Sequence, residues 1–278
     1  MMAYSSAWGL LLGLRGLDWS ALKVHRSEIL GSDIEIAAGG EWRVDRPLPG
    51  HEAALLDVLL PLVTRPGDLV IGQLGQSLDG RIATESGDSW YINGEIARTH
   101  LHRLRALVDA VLVGAGTAAE DRPNLTVRHV DGPDPVAVIL DPRGRVDPVG
   151  PLFDRAAGQP PVVHLVGPDT DLPAAPFGVE RQVVACGKDG QVAPQAVIRA
   201  LAERGLRRVL IEGGGVTVSR FVHADALHHL HLLIAPLIIG SGRPGLVLPP
   251  IERLSAARRP PMRSFPLGDE LLVDVRLA

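Results

Sequence analysis

From Asp68 onward the chain alternates between two hydrophobic patterns. Short unbroken apolar runs are followed by stretches in which apolar residues recur every three or four positions. Unbroken runs of this length read as strands of a sheet covered on both faces, and the longer spacing reads as amphipathic helix. Strands are expected at Leu69 to Leu74, Ala110 to Val113, Pro135 to Asp141, Val162 to Val166, Val179 to Ala185, Val209 to Ile211 and His231 to Ile239, with an alternating strand at Leu271 to Leu277. The segment Glu95 to Leu107 places Ala97, Leu101, Leu104 and Val108 on one helical face and Arg98, His102 and Arg105 on another, with Asn93 as its expected N-cap. Pro194 to Arg204 is a further helix, opened by proline and closed by Gly205. This rhythm predicts an α/β fold: a mostly parallel sheet with helices on both faces. No clear crossover helix separates the last two strands, which predicts an antiparallel C-terminal end.

Residues 1–66 are patterned differently. They hold three of the four tryptophans, Trp8, Trp19 and Trp42, and no long apolar strand. Ala21 to Leu30 reads as a short helix, Ser32 to Val44 as a hairpin turning at Gly39-Gly40, and His51 to Val63 as a helix with Leu55, Leu59 and Leu62 on one side. Arg65-Pro66-Gly67-Asp68 breaks the pattern, so the expected division is an extension over 1–66 and a main domain over 67–278. The extension carries no catalytic motif. Pocket cover, a dimer contact and a simple packing extension all remain open for it.

Composition narrows the class. The 278 residues carry a net charge of −4 and are 46% hydrophobic, which suits one large α/β domain with an extension and argues against nucleic acid as the main partner. Cys186 is the single cysteine, so no intramolecular disulfide forms and a reducing, cytosolic setting is expected. The apolar run Trp8 to Leu14 lacks a preceding basic residue and is a poor signal peptide, and no segment reads as a membrane span.

The candidate chemistry gathers at glycines. Val209-Leu210-Ile211-Glu212 runs into Gly213-Gly214-Gly215 and then into an apolar helix. Such a turn reads either as an anion site at a helix N-terminus, typically for a dinucleotide pyrophosphate, or as an ordinary strand-to-helix turn. Gly114-Ala115-Gly116-Thr117 ends a second strand, and two such loops at one sheet edge suit an extended ligand. The run to Ala119 fits the dinucleotide pattern G-x-G-x-x-A with Asp141 ending the next strand. However, Glu120-Asp121-Arg122-Pro123 stops the helix that this fingerprint requires. Arg105, Arg128, Arg143 and Arg145 fall near the same edge, where arginine suits phosphate; any one of them taken alone reads first as a solvated surface residue. His223, His228, His229 and His231 crowd together, and His229 and His231 share a strand face. No carboxylate or cysteine completes an obvious set, so no metal is expected. Zinc-deaminase, nucleophile-elbow and Walker A signatures do not occur.

Several motifs stand in order: Gly75-Gln76-Ser77-Leu78-Asp79-Gly80-Arg81-Ile82-Ala83; Leu104-Arg105-Ala106; Gly116-Thr117 with Asp121-Arg122-Pro123-Asn124-Leu125-Thr126-Val127-Arg128; Glu212-Gly213-Gly214; and Ala235-Pro236 with Gly240. From about Asp68 to the C-terminus they closely resemble the riboflavin-pathway pyrimidine reductase family. This is the C-terminal reductase domain of the bifunctional riboflavin deaminase/reductase, with a fold similar to dihydrofolate reductase. The deaminase half that usually precedes it is not expected here. The resemblance implies reduction of 5-amino-6-(5-phosphoribosylamino)uracil by NADPH, with hydride reaching ribose C1′, in a homodimer. It also implies cofactor contacts from Gly75, Tyr91, Thr117, Asp121 and the run Gly214, Gly215, Val216, Thr217, Val218, Ser219 and Arg220. The implied substrate contacts are Ser89, Arg105, Leu125, Arg128 and Glu212, with Arg105 and Arg128 on the ribose phosphate. Glu212 and Asp121 are the candidate proton donors. The chain departs from the family at Gln73, where lysine is frequent, and at Pro142, where a cofactor-contacting serine is common; Arg143 or Arg145 is then left to meet the 2′-phosphate. These departures keep one alternative, a reductase of another pyrimidine or pterin, and the tryptophan-rich extension keeps a second, a non-catalytic nucleotide-binding subunit.

Overall fold

The computed structural model describes residues 2–89, 92–154 and 158–277. It divides into two compact units, Met1–Leu69 and Val70–Ala278.

In the first unit, β1 (Ala3–Tyr4), β2 (Val24–Ile29), β3 (Ser32–Ala37) and β4 (Trp42–Val44) form a sheet in that order, and α1 (Ala7–Leu14) packs on α2 (Gly50–Val63). Ser6 caps α1 by accepting from the Gly9 N–H at 3.1 Å, and Glu52 of α2 accepts from the Ala7 N–H at 2.7 Å. The hairpin turns at Gly39 and Gly40, with φ of 92° and 94°, a region that favours glycine. The helix expected over Ala21 to Leu30 is not formed, since β2 occupies that stretch. Ser27 and Ile29 are buried between more exposed neighbours, a period-two pattern, and β2 pairs antiparallel with β3 along its whole length. Tryptophan is tied down by polar contacts: Trp19 donates to the Leu14 carbonyl at 3.3 Å and Trp42 to Asp57 at 2.9 Å.

Among the described residues of the second unit, nine strands form the main sheet. They are β5 (Leu69–Ser77), β7 (Ala110–Gly114), β8 (Val136–Asp141), β9 (Val162–Val166), β10 (Val179–Val183), β11 (Arg208–Glu212), β12 (His229–Ala235), β14 (Met262–Leu267) and β15 (Glu270–Arg276), in the order β10-β9-β8-β7-β11-β5-β12-β15-β14. The run from β10 to β11 and the β5–β12 pair are parallel, while β15 runs antiparallel to both β12 and β14. Two short strands, β6 (Arg81–Thr84) and β13 (Gly242–Pro244), pair separately. The helices are α3 (Glu95–Leu107), α4 (Ala115–Glu120), α5 (Pro194–Ala202) and α6 (Gly215–His223).

Register shows how the faces are covered. Gly72 lies opposite Leu230, and a Cβ on Gly72 would press on Leu227, Leu230 and Val218 of α6. Gln73 lies opposite His231, which meets His100 of α3. Neighbouring residues on a strand point to opposite faces, so α6 and α3 cover opposite faces of the sheet. Val70, Ile211, Val218, Phe221 and Leu230 belong to the buried apolar cluster under α6.

Two local expectations are corrected. Asn93 does not cap α3, whose N-cap is Gly94. Glu270 on β15 accepts from the Gly94 N–H at 2.8 Å, and the Asn93 amide instead donates to the Leu233 carbonyl and to Glu270. The strand expected at His231 to Ile239 runs from His229 to Ala235 and then turns off. Asp79 explains that turn. It accepts from the N–H groups of Ile239 and Gly240 at 3.1 and 2.7 Å and from Ser77, and these bonds lower its pKa to about 2. The Ser77-Leu78-Asp79-Gly80 motif therefore clasps the end of β5 to the chain after β12.

Candidate active site

A cleft of about 690 Å³ opens at the carboxyl ends of β5, β7, β8 and β11. Its floor is glycine for steric reasons. A Cβ on Gly114 would collide with the Thr217 hydroxyl, and one on Gly215 with the carbonyls of Gly245 and Pro244. One on Gly213 would stand 2.9 Å from the Thr117 methyl. Gly213 also has φ of 72°, which lets β11 turn sharply into α6. The first N–H groups of α6 therefore border an open cleft.

The expected cofactor residues separate on inspection. Gly75, Thr117, Asp121, Gly214, Gly215, Val216, Thr217 and Arg220 line the cleft, as does Ser89. Val218 and Ser219 do not: Val218 is buried in the apolar cluster, and the Ser219 hydroxyl accepts from the Val247 N–H at 2.8 Å. They sit on the inner side of α6, and a run of consecutive helical residues cannot all face one ligand. Tyr91 lies outside the described residues. Gln73, Pro142 and Arg145 line the cleft, while Arg143 is exposed outside its lining. Gln191, Arg243, Glu120 and Val247 also line it and were not anticipated. Gln191 arrives with the loop before α5 and accepts from Arg220 at 2.8 Å, and Arg243 pairs with Glu120 at 3.0 Å. Neither contact follows a local motif, so sequence spacing offered no signal for them.

Glu212, which ends β11 just before Gly213 of the cleft lining, belongs to a buried ion pair. Arg105 from α3 and Glu212 at the end of β11 meet side-on through two hydrogen bonds: Nε to Oε2 at 2.9 Å, and Nη2 to Oε1. Arg105 also donates to the Thr126 carbonyl at 3.0 Å. That carbonyl follows Leu125, buried with φ of 57°, a conformation a branched residue adopts only under constraint. Arg105 is thus a buried clamp on Glu212, in contrast to the solvated arginine that its helix face alone allowed. Arg128 is exposed; its N–H donates to His102 Nδ1 at 3.1 Å, and His102 stacks on His129 with centroids 4.5 Å apart. Burial, together with the charges of Arg105, His129 and Arg128, lowers the His102 pKa to about 3. The imidazole therefore stays neutral as an acceptor. Asp121 shows the opposite shift. Desolvation at the cleft wall and the Glu120 carboxylate raise its pKa against the pull of Arg243. Asp141 does not serve as a ribose-binding acid. It is fully buried, accepting from the Val146 N–H at 2.8 Å and paired with His164 at 3.2 Å.

Parallel strands, glycine turns and a cleft at the strand carboxyl ends define an α/β protein with its ligand site at that edge of the sheet. Residues 68–257 match the RibD C-terminal domain model, and the chain belongs to that family. Among similar proteins, the riboflavin biosynthesis protein RibD of Bacillus amyloliquefaciens is 35% identical over 165 residues, covering 59% of this chain and 44% of that one. The 2,5-diamino-6-ribosylamino-4(3H)-pyrimidinone 5′-phosphate reductase of Methanothermobacter thermautotrophicus is 31% identical over 212 residues, covering 74% of this chain and 96% of that one. The crystal structure of a Thermotoga maritima diaminohydroxyphosphoribosylaminopyrimidine deaminase/5-amino-6-(5-phosphoribosylamino)uracil reductase superposes with a TM-score of 0.63 at 28% identity, covering 81% of this chain and 61% of that one. The chain thus spans less than two thirds of the bifunctional relatives and nearly all of the archaeal reductase.

Proposed function

We propose that this protein is a pyrimidine reductase of riboflavin biosynthesis. In this reading it reduces a 5′-phosphorylated ribosylaminopyrimidine at ribose C1′, with NADPH as hydride donor, giving the ribitylamino product. The observation that carries the reading is the carboxylate of Glu212, fixed by Arg105 beside the glycine-floored cleft.

The cleft fits a dinucleotide. Its floor admits no side chain at Gly114 or Gly215, and the start of α6 offers N–H groups to a pyrophosphate. Arg145, Arg220 and Arg243 supply positive charge along the lining for an adenosine 2′-phosphate. Bound NADPH supplies the hydride chemistry itself. The chain's part is then orientation. Glu212, held by two hydrogen bonds, is an acceptor of fixed direction for pyrimidine amino groups or a ribose hydroxyl. Because hydride addition opens the sugar ring, the ring oxygen needs a proton. Asp121 is assigned that role over Glu212: its raised pKa favours the carboxylic acid, whereas both Glu212 oxygens are engaged as acceptors from Arg105. Arg128 and the 125–128 segment receive the ribose phosphate, residues 67–278 carry the activity, and the chain works as a cytosolic homodimer. No helix among the described residues is long and apolar enough to cross a membrane.

Two substrates differ only at pyrimidine C2: the deaminated uracil and the diaminopyrimidinone named for the archaeal relative. Gln73 lines the cleft where lysine is frequent in the family, and its amide can pair with either group. The test is NADPH consumption with each compound, with and without its phosphate. Turnover that requires the phosphate and prefers NADPH over NADH is expected. Cofactor binding without turnover on either compound would favour a non-catalytic role. Turnover of a different pyrimidine or of a pterin would reassign the substrate.

A further inference from the structure

A second polar cluster lies on the α3 face of the sheet, one strand over from Gln73 of the cleft lining. His231 of β12 is in register with Asp274 of β15, and Asp274 with Arg263 of β14. His229 stands two residues earlier on β12 and shares the face. His229, His231 and Asp274 are all buried, and one ligand atom from each lies within 4.8 Å of the others. His229 Nδ1 is 2.7 Å and His231 Nε2 is 3.5 Å from the same oxygen, Asp274 Oδ1. His231 Nε2 is shielded from solvent and makes no hydrogen bond among the described residues. Its Nδ1 lies 2.9 Å from His100 Nε2. With the shared proton on Nδ1, Nε2 turns a lone pair toward the Asp274 oxygen, and two acceptors then face each other across a gap that a cation would fill.

We propose that His229, His231 and Asp274 bind one divalent metal ion of the zinc class, which ties β12 to β15 as a structural site. Two imidazoles and a carboxylate supply three zinc donors, and a small ligand such as water would complete the tetrahedron. Zinc–ligand bonds of about 2.0–2.2 Å need donors roughly 3.4 Å apart, against the 2.7 and 3.5 Å from Asp274 Oδ1 to the two imidazole nitrogens. The surroundings match the supporting shell of such sites: Arg263 donates to the remaining Asp274 oxygen at 2.8 Å, and His100 orients His231. Sequence spacing offered only the histidines; Asp274 arrives by strand pairing. Arg263 already offsets the Asp274 charge, so the competing arrangement is a network held by protons alone.

The test uses the full chain, purified without a histidine tag, with Zn²⁺ or Co²⁺ as the probe. The expected result is one tightly held metal per chain, a thermal midpoint that falls on chelation and returns with Zn²⁺, and a tetrahedral visible spectrum with Co²⁺. His229→Gln should abolish all three while leaving the metal-free midpoint close to that of the chelated parent. Failure of the parent to retain either metal, or equal retention by His229→Gln, would overturn the proposal. Should that variant not fold, His231→Gln takes its place, and the Co²⁺ spectrum of the parent decides alone. None of these readouts depends on turnover, so they stand apart from the assignment as a reductase.

Discussion

Arg105 is buried, charged and fully engaged, and Glu212 is its main partner. Removing one member of a buried pair leaves the other charge without compensation, at about 3–5 kcal/mol. Arg105→Ala should therefore lower stability by about that amount in urea unfolding as well as abolish turnover. The double variant Arg105→Met with Glu212→Leu should recover much of the stability and none of the activity. Equal stability of Arg105→Ala and the parent would mean the pair is not buried as described. Asp121 behaves differently because its charge is not paired in this way. If it supplies the ring-oxygen proton, Asp121→Asn should lower kcat with little change in stability, and should remove the alkaline limb of the kcat–pH profile set by loss of that proton. An unchanged profile would move the acid role elsewhere.

At the scale of elements, the glycine turn between β11 and α6 brings together sheet, cleft and helix terminus. Gly215→Ala places a methyl group against the backbone carbonyls of Pro244 and Gly245, which cannot rotate away as a side chain would. Cofactor affinity should fall at least about tenfold, equivalent to about 1.4 kcal/mol, while Gly50→Ala, which meets nothing nearby and lies outside the cleft lining, should leave it unchanged. Fluorescence titration with NADPH compares the two. The turn was legible in sequence because it is local: apolar run, glycines and amphipathic helix lie within fifteen or so residues. The same holds for α3, whose bounds match the periodicity, and for the antiparallel C-terminal end. What escaped was non-local. β2 was read as helix because its buried positions, Ser27 and Ile29, are too few to mark a period of two, and pairing with β3 selects the strand. β14 carries Pro266 and shows no apolar run, so the sheet edge it forms was not visible. Arg105 was legible as phosphate-suited, but its bond to Glu212 spans α3 and β11 and has no sequence signature. Asp274, which completes the histidine cluster, comes from a strand adjacent in space but distant in the chain.

Across the whole molecule, the histidines set the acid limit of stability. His100, His102 and His231 have pKa values lowered first by burial, to about 3 for His102. Between those values and the unfolded pKa near 6.5, the unfolded chain binds more protons than the fold, so stability is lost as pH falls through this window. His102 alone should contribute a loss of about 2 kcal/mol between pH 7 and pH 5. Urea midpoints at the two pH values test this, and His102→Asn should flatten the difference. A midpoint that rises on acidification would contradict the burial of these imidazoles. The two compact units raise a separate point. If the second unit holds the whole cleft, the chain from Asp68 onward should turn over substrate on its own. The most direct test of reduction at ribose C1′ is isotopic: incubate the full protein with NADPH deuterated at the transferred position and the phosphorylated ribosylaminopyrimidine, then analyse the product by mass spectrometry. The expected product is a ribitylamino compound carrying one deuterium at C1′. An undeuterated product, or deuterium on the pyrimidine ring, would contradict it.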